Sequence, residues 1–195
     1  MLAFASACLF LIITPGPGVL SVAGVGSGYG FRIGSRYLWG LCLGNFLVGV
    51  AVVSGLAAII FSVPQLRTVL LVACIAYMLY LAAKIALAGS KVGFAEASHA
   101  PAFRDGLALQ AINPKAYVAN SVLFSGFSFM PESLHIEVMI KFVIWIGIWI
   151  PVHFAWLYAG VALRRLELPA YQQRLINYFM AASMLVVVAL AFFVR

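Results

Sequence analysis

Six apolar stretches of membrane length follow one another through this 195-residue chain, at roughly Leu2–Val25, Tyr37–Phe61, Thr68–Leu87, Gly106–Met130, Phe142–Leu163 and Leu175–Val194. A helix that crosses the hydrocarbon core of a bilayer needs about 20 such residues. With their connections the six stretches use nearly the whole chain, so no separate water-soluble domain fits. Hydrophobic residues make up 65% of the sequence and charged residues only 9%. Soluble domains carry about a quarter charged residues, and this chain lacks the polar surface to face water all round. The sequence predicts an all-α integral membrane protein with six transmembrane helices in a single domain spanning residues 1–195.

Two of the stretches are broken by proline, the first at Thr14-Pro15-Gly16-Pro17 and the fourth at Asn113-Pro114-Lys115. Proline removes a helical hydrogen bond, and in hydrocarbon the freed carbonyl must find another partner. Such breaks persist where the backbone is buried in protein or lines a polar cavity. The longest polar interval, Gly89–Arg104, separates half one (1–88) from half two (105–195), with three stretches in each. An odd number of crossings makes the second half enter the membrane from the opposite side. Two matched halves would then be inverted three-helix repeats, and paired breaks in them point to a transporter's binding site.

Charge sets the orientation. The connections after stretches one, three and five hold Arg32, Arg36, Lys84, Lys91, Arg104, Arg164, Arg165 and Arg174, against Arg67, Lys141 and Arg195 on the other side. The side with eight basic residues is expected to be cytoplasmic, with both termini outside. The net charge of +7 is spread one to three residues per loop, without the basic, aromatic-interleaved cluster of a nucleic-acid binder. No Lys or Arg precedes Arg32 and the first stretch runs past twenty residues, which argues for a retained helix over a cleaved signal peptide. Cys8, Cys42 and Cys74 lie in three different stretches with no C-x-x-C pair, so they are expected to be packing residues. No cofactor is expected.

Glycines crowd the second stretch and its approach, and Gly30/Gly34 and Gly40/Gly44 are each spaced to share a helix face. Small faces of this kind let helix backbones approach closely in lipid. With the broken helices they carry a resemblance. The chain resembles the lysine exporter/homoserine-resistance (LysE/RhtB) family of amino-acid exporters over essentially its full length. The residues that match are Thr14-Pro15-Gly16-Pro17, Gly30-Phe31-Arg32-Ile33-Gly34, Gly40-x-x-x-Gly44, Tyr77-Met78 with Lys84, Phe103-x-x-Gly106 and Asn113-Pro114-Lys115. Gly18 departs from it, standing where the family often carries Asn or Asp, as do Gln110 and Cys74. The resemblance implies export of a small amino acid or related metabolite across the bacterial cytoplasmic (inner) membrane, driven by the proton gradient.

Lys115 is the sharpest single residue, alone in an interval without other charge between Asp105 and Glu132. A lysine at a helix centre costs about 3 kcal/mol on insertion scales. It is expected either to neutralise a substrate carboxylate or to bind helix carbonyls in one state of a cycle. Gln110, Asn113 and Asn120 add amides to the same stretch, with donors and acceptors for a zwitterion; for Asn120 an interhelical hydrogen bond is the stronger expectation. The substrate pathway is expected to include Thr14, Pro15, Gly16, Pro17, Asn45, Gln110, Asn113, Pro114 and Lys115. The hydroxyls of Thr14 and Ser21 face either the cavity or their own helix backbone. All five acidic residues lie outside or at the edges of the stretches, which favours neutral over cationic substrates and leaves Asp105 and His153 as candidates for proton coupling.

No paired carboxylates, nucleophile–base set or metal-ligand motif argues for an enzyme. The partners expected are the lipid bilayer and a small amino acid, with a homodimer through the glycine faces. The rival class is a non-transporting helical subunit, which leaves the matched breaks and Lys115 without a purpose.

Overall fold

The computed structural model describes residues 1–14, 16–57, 62–87 and 100–166, with scattered positions between 169 and 182. Pro15, most of the Gly89–Arg104 interval and most of the sixth stretch lie outside the described residues, as do the side chains of Cys74 and Lys84. Seven helices have defined bounds: α1 (Leu2–Ile13), α2 (Pro17–Tyr29), α3 (Phe31–Val53), α4 (Pro64–Leu87), α5 (Phe103–Ile112), α6 (Pro114–Gly126) and α7 (Leu134–Arg165). The described residues contain no strand.

Both proline sites are helix ends rather than kinks. Pro17 and Pro114 each open a new helix, a position where the missing N–H is no loss. At the first break α1 and α2 meet at 51°. At the second, Asn113 leaves the helical conformation and its side chain accepts a hydrogen bond from the Lys115 amide, capping α6. Helices α3 and α7 are each long and apolar enough to cross a membrane, and the bent pair α1–α2 makes a third span if counted as one.

α2 sits at the centre, with every residue from Pro17 to Ser27 buried. α3 returns directly from it through Gly30, whose φ of +83° with an extended ψ is open only to glycine. The glycines then fix which helices touch. A methyl group on Gly160 of α7 would run into the Ala23 carbonyl of α2, and one on Gly26 would lie 2.8 Å from the Leu157 carbonyl. Between α3 and α5, Gly40 faces the Phe103 carbonyl, Gly44 faces Leu107 and Gln110, and Gly106 faces the Tyr37 carbonyl. Within the chain these glycine faces are filled by α5 and α7.

α7 differs from its sequence reading in length. It starts at Leu134 and runs 32 residues, about 48 Å at the usual rise against a hydrocarbon core of about 30 Å. Glu137 and Lys141, expected in a connection, lie within this helix and are buried. They form an ion pair one turn apart, Nζ to Oε1 at 2.7 Å. Opposite charges on neighbouring turns of one face let the helix continue where the sequence suggested a loop.

Candidate functional site

The ends of α1, α2, α5 and α6 meet around one cavity, closed on a further side by α7. Its empty space, counted out through its open mouth into solvent, is about 440 Å³. Its polar lining is Thr14 and Gly16 at the first break, Gln110, Asn113 and Lys115 at the second, Asn45 and Asn120 between α3 and α6, and His153 on α7. Leu11, Ile12, Leu123, Trp145 and Trp149 supply apolar walls.

Lys115 joins the two breaks. Its Nζ donates to the Thr14 carbonyl at 2.6 Å, the kind of carbonyl that the end of a broken helix leaves without an intrahelical partner. Gly16 makes room for this reach: a Cβ there would lie 2.7 Å from the lysine Cδ and 2.9 Å from Nζ. Of the two roles expected for Lys115, carbonyl binding is the one seen in this conformation. The Thr14 hydroxyl contributes nothing to the cavity, since it bonds back to the Phe10 carbonyl at 2.6 Å. Ser21 does the same to Gly18 at 2.8 Å.

The start of α2 has no capping side chain, because its N-cap is Gly16. Uncapped amides at a helix start carry partial positive charge and favour an anion. Lys115 and the start of α6 add to the same field, with no carboxylate in the lining. The cavity therefore has a strongly electropositive side.

The amides are organised in two pairs. Asn113 Nδ2 donates to Gln110 Oε1 at 2.7 Å, holding the cap residue of α6 against α5. Asn120 Nδ2 donates both to Asn45 Oδ1 at 2.9 Å and to the Ala116 carbonyl at 2.7 Å, tying α6 to α3. Asn120 Oδ1 is buried without a hydrogen-bond partner and lies toward Gly49. Asn113, at the break, and Asn120, about two turns along α6, both reach the cavity.

His153 stacks on Trp149 with ring centres 3.5 Å apart and planes 14° from parallel. Its Nδ1 lies 2.9 Å from the Trp149 carbonyl. A carbonyl only accepts, so Nδ1 carries the proton and a neutral ring leaves its lone pair on Nε2. That atom faces Gly18, where an added Cβ would sit 3.6 Å from it and 3.6 Å from Gln110 Nε2. The departure at Gly18 thus leaves space in front of His153 that any side chain would fill.

Asp105 stands apart from this group. Its Oδ2 accepts from the Ala102 amide at 2.8 Å at the start of α5, and its carbonyl accepts from the Tyr77 hydroxyl at 2.9 Å. It does not line the cavity. Pro17 and Pro114 act on the site through the helix ends that they open. Trp145 and Trp149 are cavity walls, and their spacing of four residues from each other and from His153 sets all three on one face of α7.

A family model, LysE type translocator, matches residues 9–195 of the chain. Neither the curated proteins nor the solved structures contain a match.

Proposed function

The chain belongs to the LysE type translocator family, and we propose that this membrane transporter exports a small zwitterionic amino acid or a close relative from the cytoplasm. Six spans arranged as two inverted halves would bring the breaks at Thr14 and Lys115 together near the bilayer midplane. The observation that carries the reading is the two-sided cavity. On one side Lys115 and the uncapped start of α2 suit a carboxylate. On the other, the His153 Nε2 lone pair suits the ammonium group of the same molecule. No carboxylate lines the cavity to hold a second positive charge, which favours neutral amino acids over basic ones. His153 is also the titratable group best placed for proton coupling, since Asp105 is engaged at the start of α5.

Counterflow in proteoliposomes holding only this chain tests the reading with neutral, basic and acidic amino acids. Exchange of neutral ones is the expected result. A panel with no exchange would favour a non-transporting subunit, and faster exchange of basic amino acids would overturn the charge argument.

Orientation has its own test. With the native cysteines replaced, Glu132→Cys before α7 should react with an impermeant thiol reagent added to intact cells. Leu166→Cys, just after the Arg164-Arg165 end of α7, should not. Both positions are exposed, so the opposite pattern would invert the topology.

A further inference from the structure

We propose that the buried Glu137–Lys141 pair and the aromatic rings around it form the gate that closes the cavity toward the outside, an inference that rests on the transport reading and the orientation above. Both side chains are about 2% exposed, and the cavity has no use for either charge. What they hold is the end of the molecule beyond it. Glu137 Oε2 accepts from the Phe129 amide at 2.8 Å, from the Met130 amide and from the Ser128 hydroxyl at 3.3 Å, drawing in the connection that follows α6. Lys141 Nζ donates to the Phe124 carbonyl at 2.9 Å, near the end of α6, and lies 5.8 Å and 5.7 Å from the ring centres of Phe4 and Phe129. Phe4 in turn meets Phe124 edge to face.

Three elements reach this cluster one step beyond the cavity. On α7, Lys141 is one turn from the cavity wall Trp145; on α6, Phe124 follows the wall Leu123; on α1, Cys8 and Phe4 lie one and two turns from Ile12. The cluster is therefore a packed layer between the cavity and the Leu134 end of α7.

The ion pair gives that layer two workable states. Taking two charges out of water costs about as much as their mutual attraction returns, so a buried pair adds little to a static structure. An all-apolar plug would be strongly favoured dry and costly to wet. A plug containing a carboxylate and an ammonium regains their hydration when water enters, which brings the open and closed states nearer in energy. The other end of the cavity is built differently, from backbones held together at Gly26, Gly160, Gly40 and Gly106, where the described residues place no buried charged pair.

Cys8, fully buried beneath the layer, is a native reporter. With Cys42 and Cys74 replaced by serine, its modification by an impermeant thiol reagent from outside measures how often the layer opens, without any substrate. Glu137→Gln keeps an acceptor for the two amides but strands the Lys141 charge, and should speed labelling at least tenfold. Adding Lys141→Met removes the second charge while filling its volume. The double variant should reverse the effect, labelling at least tenfold more slowly than the single-cysteine parent, with a melting temperature no lower and flux reduced in step. Parent-like labelling in the double variant would show a fixed fastening and overturn the gate, and that variant decides alone if Glu137→Gln fails to accumulate. Reversed labelling in a protein that moves no amino acid keeps the gate and removes the transport reading. Flux with unchanged labelling does the opposite.

Discussion

Methionine in place of Lys115 should leave a well-folded protein that no longer exports. In the proposed reading the ammonium exchanges the Thr14 carbonyl for a substrate carboxylate, and hydrogen bonds to charged groups contribute about 1.5–3 kcal/mol. Losing that contact should weaken binding by about ten- to hundredfold. Insertion should not suffer, because a lysine at a helix centre costs about 3 kcal/mol that methionine does not. What the fold loses is one donor to the Thr14 carbonyl, at a helix end that already lies beside the cavity. Lys115→Arg should recover only part of the function: the planar fork is wider than the ammonium, and the space above Gly16 is already tight around Nζ. Substrate-induced thermal shift in detergent and counterflow in proteoliposomes measure the two effects. Wild-type shift and flux in the methionine variant would remove Lys115 from the site.

The second large effect falls on stability. Alanine at Gly40, Gly106 or Gly160 would put a methyl group inside the contact distance of a carbonyl on the facing helix: Phe103, Tyr37 and Ala23 respectively. A backbone atom cannot swing aside as a side chain can. The helices must separate, and overpacking of this kind typically costs about 1–3 kcal/mol and occasionally more. Each variant should melt well below the parent in detergent, and the Gly40→Ala, Gly106→Ala double variant should accumulate poorly. Gly126→Ala and Gly147→Ala are the controls, since nothing lies within 4 Å of a methyl at either position; Gly147 is inside α7 and Gly126 ends α6, and alanine at either should be neutral or slightly stabilising. Equal melting of all five proteins would mean that α3 and α5, and α2 and α7, are not held at these points.

The breaks were legible in the sequence because proline acts locally: without an N–H it suits the first position of a helix, and the residue before it takes the N-cap place, with a capping side chain at Asn113 and none at Gly16. Lys115 was legible because its charge stands alone in an apolar interval. The Glu137–Lys141 pair was not. In a linear reading two charges near the end of an apolar stretch mark a loop; only their spacing of one turn, with amides at hand to take the remaining lone pairs, makes burial tolerable. The glycine faces announced close helix packing but not the partner, because a small surface accepts any helix of suitable shape. That α5 and α7 fill them is a tertiary fact. The orientation of His153 likewise depends on a carbonyl one turn back and on the ring of Trp149 beneath it, and a residue type alone fixes neither.

The burial of α2 bears on how the protein is made. This helix leaves the ribosome well before α7, yet much of its wall is supplied by α7. The Arg164 side chain that bonds the Gly28 carbonyl is 136 positions downstream. At a synthesis rate of roughly 5–20 residues per second, about 7–27 seconds separate the two. During that interval the 13 residues of α2, about 20 Å of helix, are too short to cross the bilayer alone and lack α7 against their small-residue face. The nascent first half is then expected to lean on the insertion machinery until α7 arrives. A ribosome stalled before residue 134 would leave α2 without that wall, so its glycines should crosslink to the insertion machinery and not to the rest of the chain.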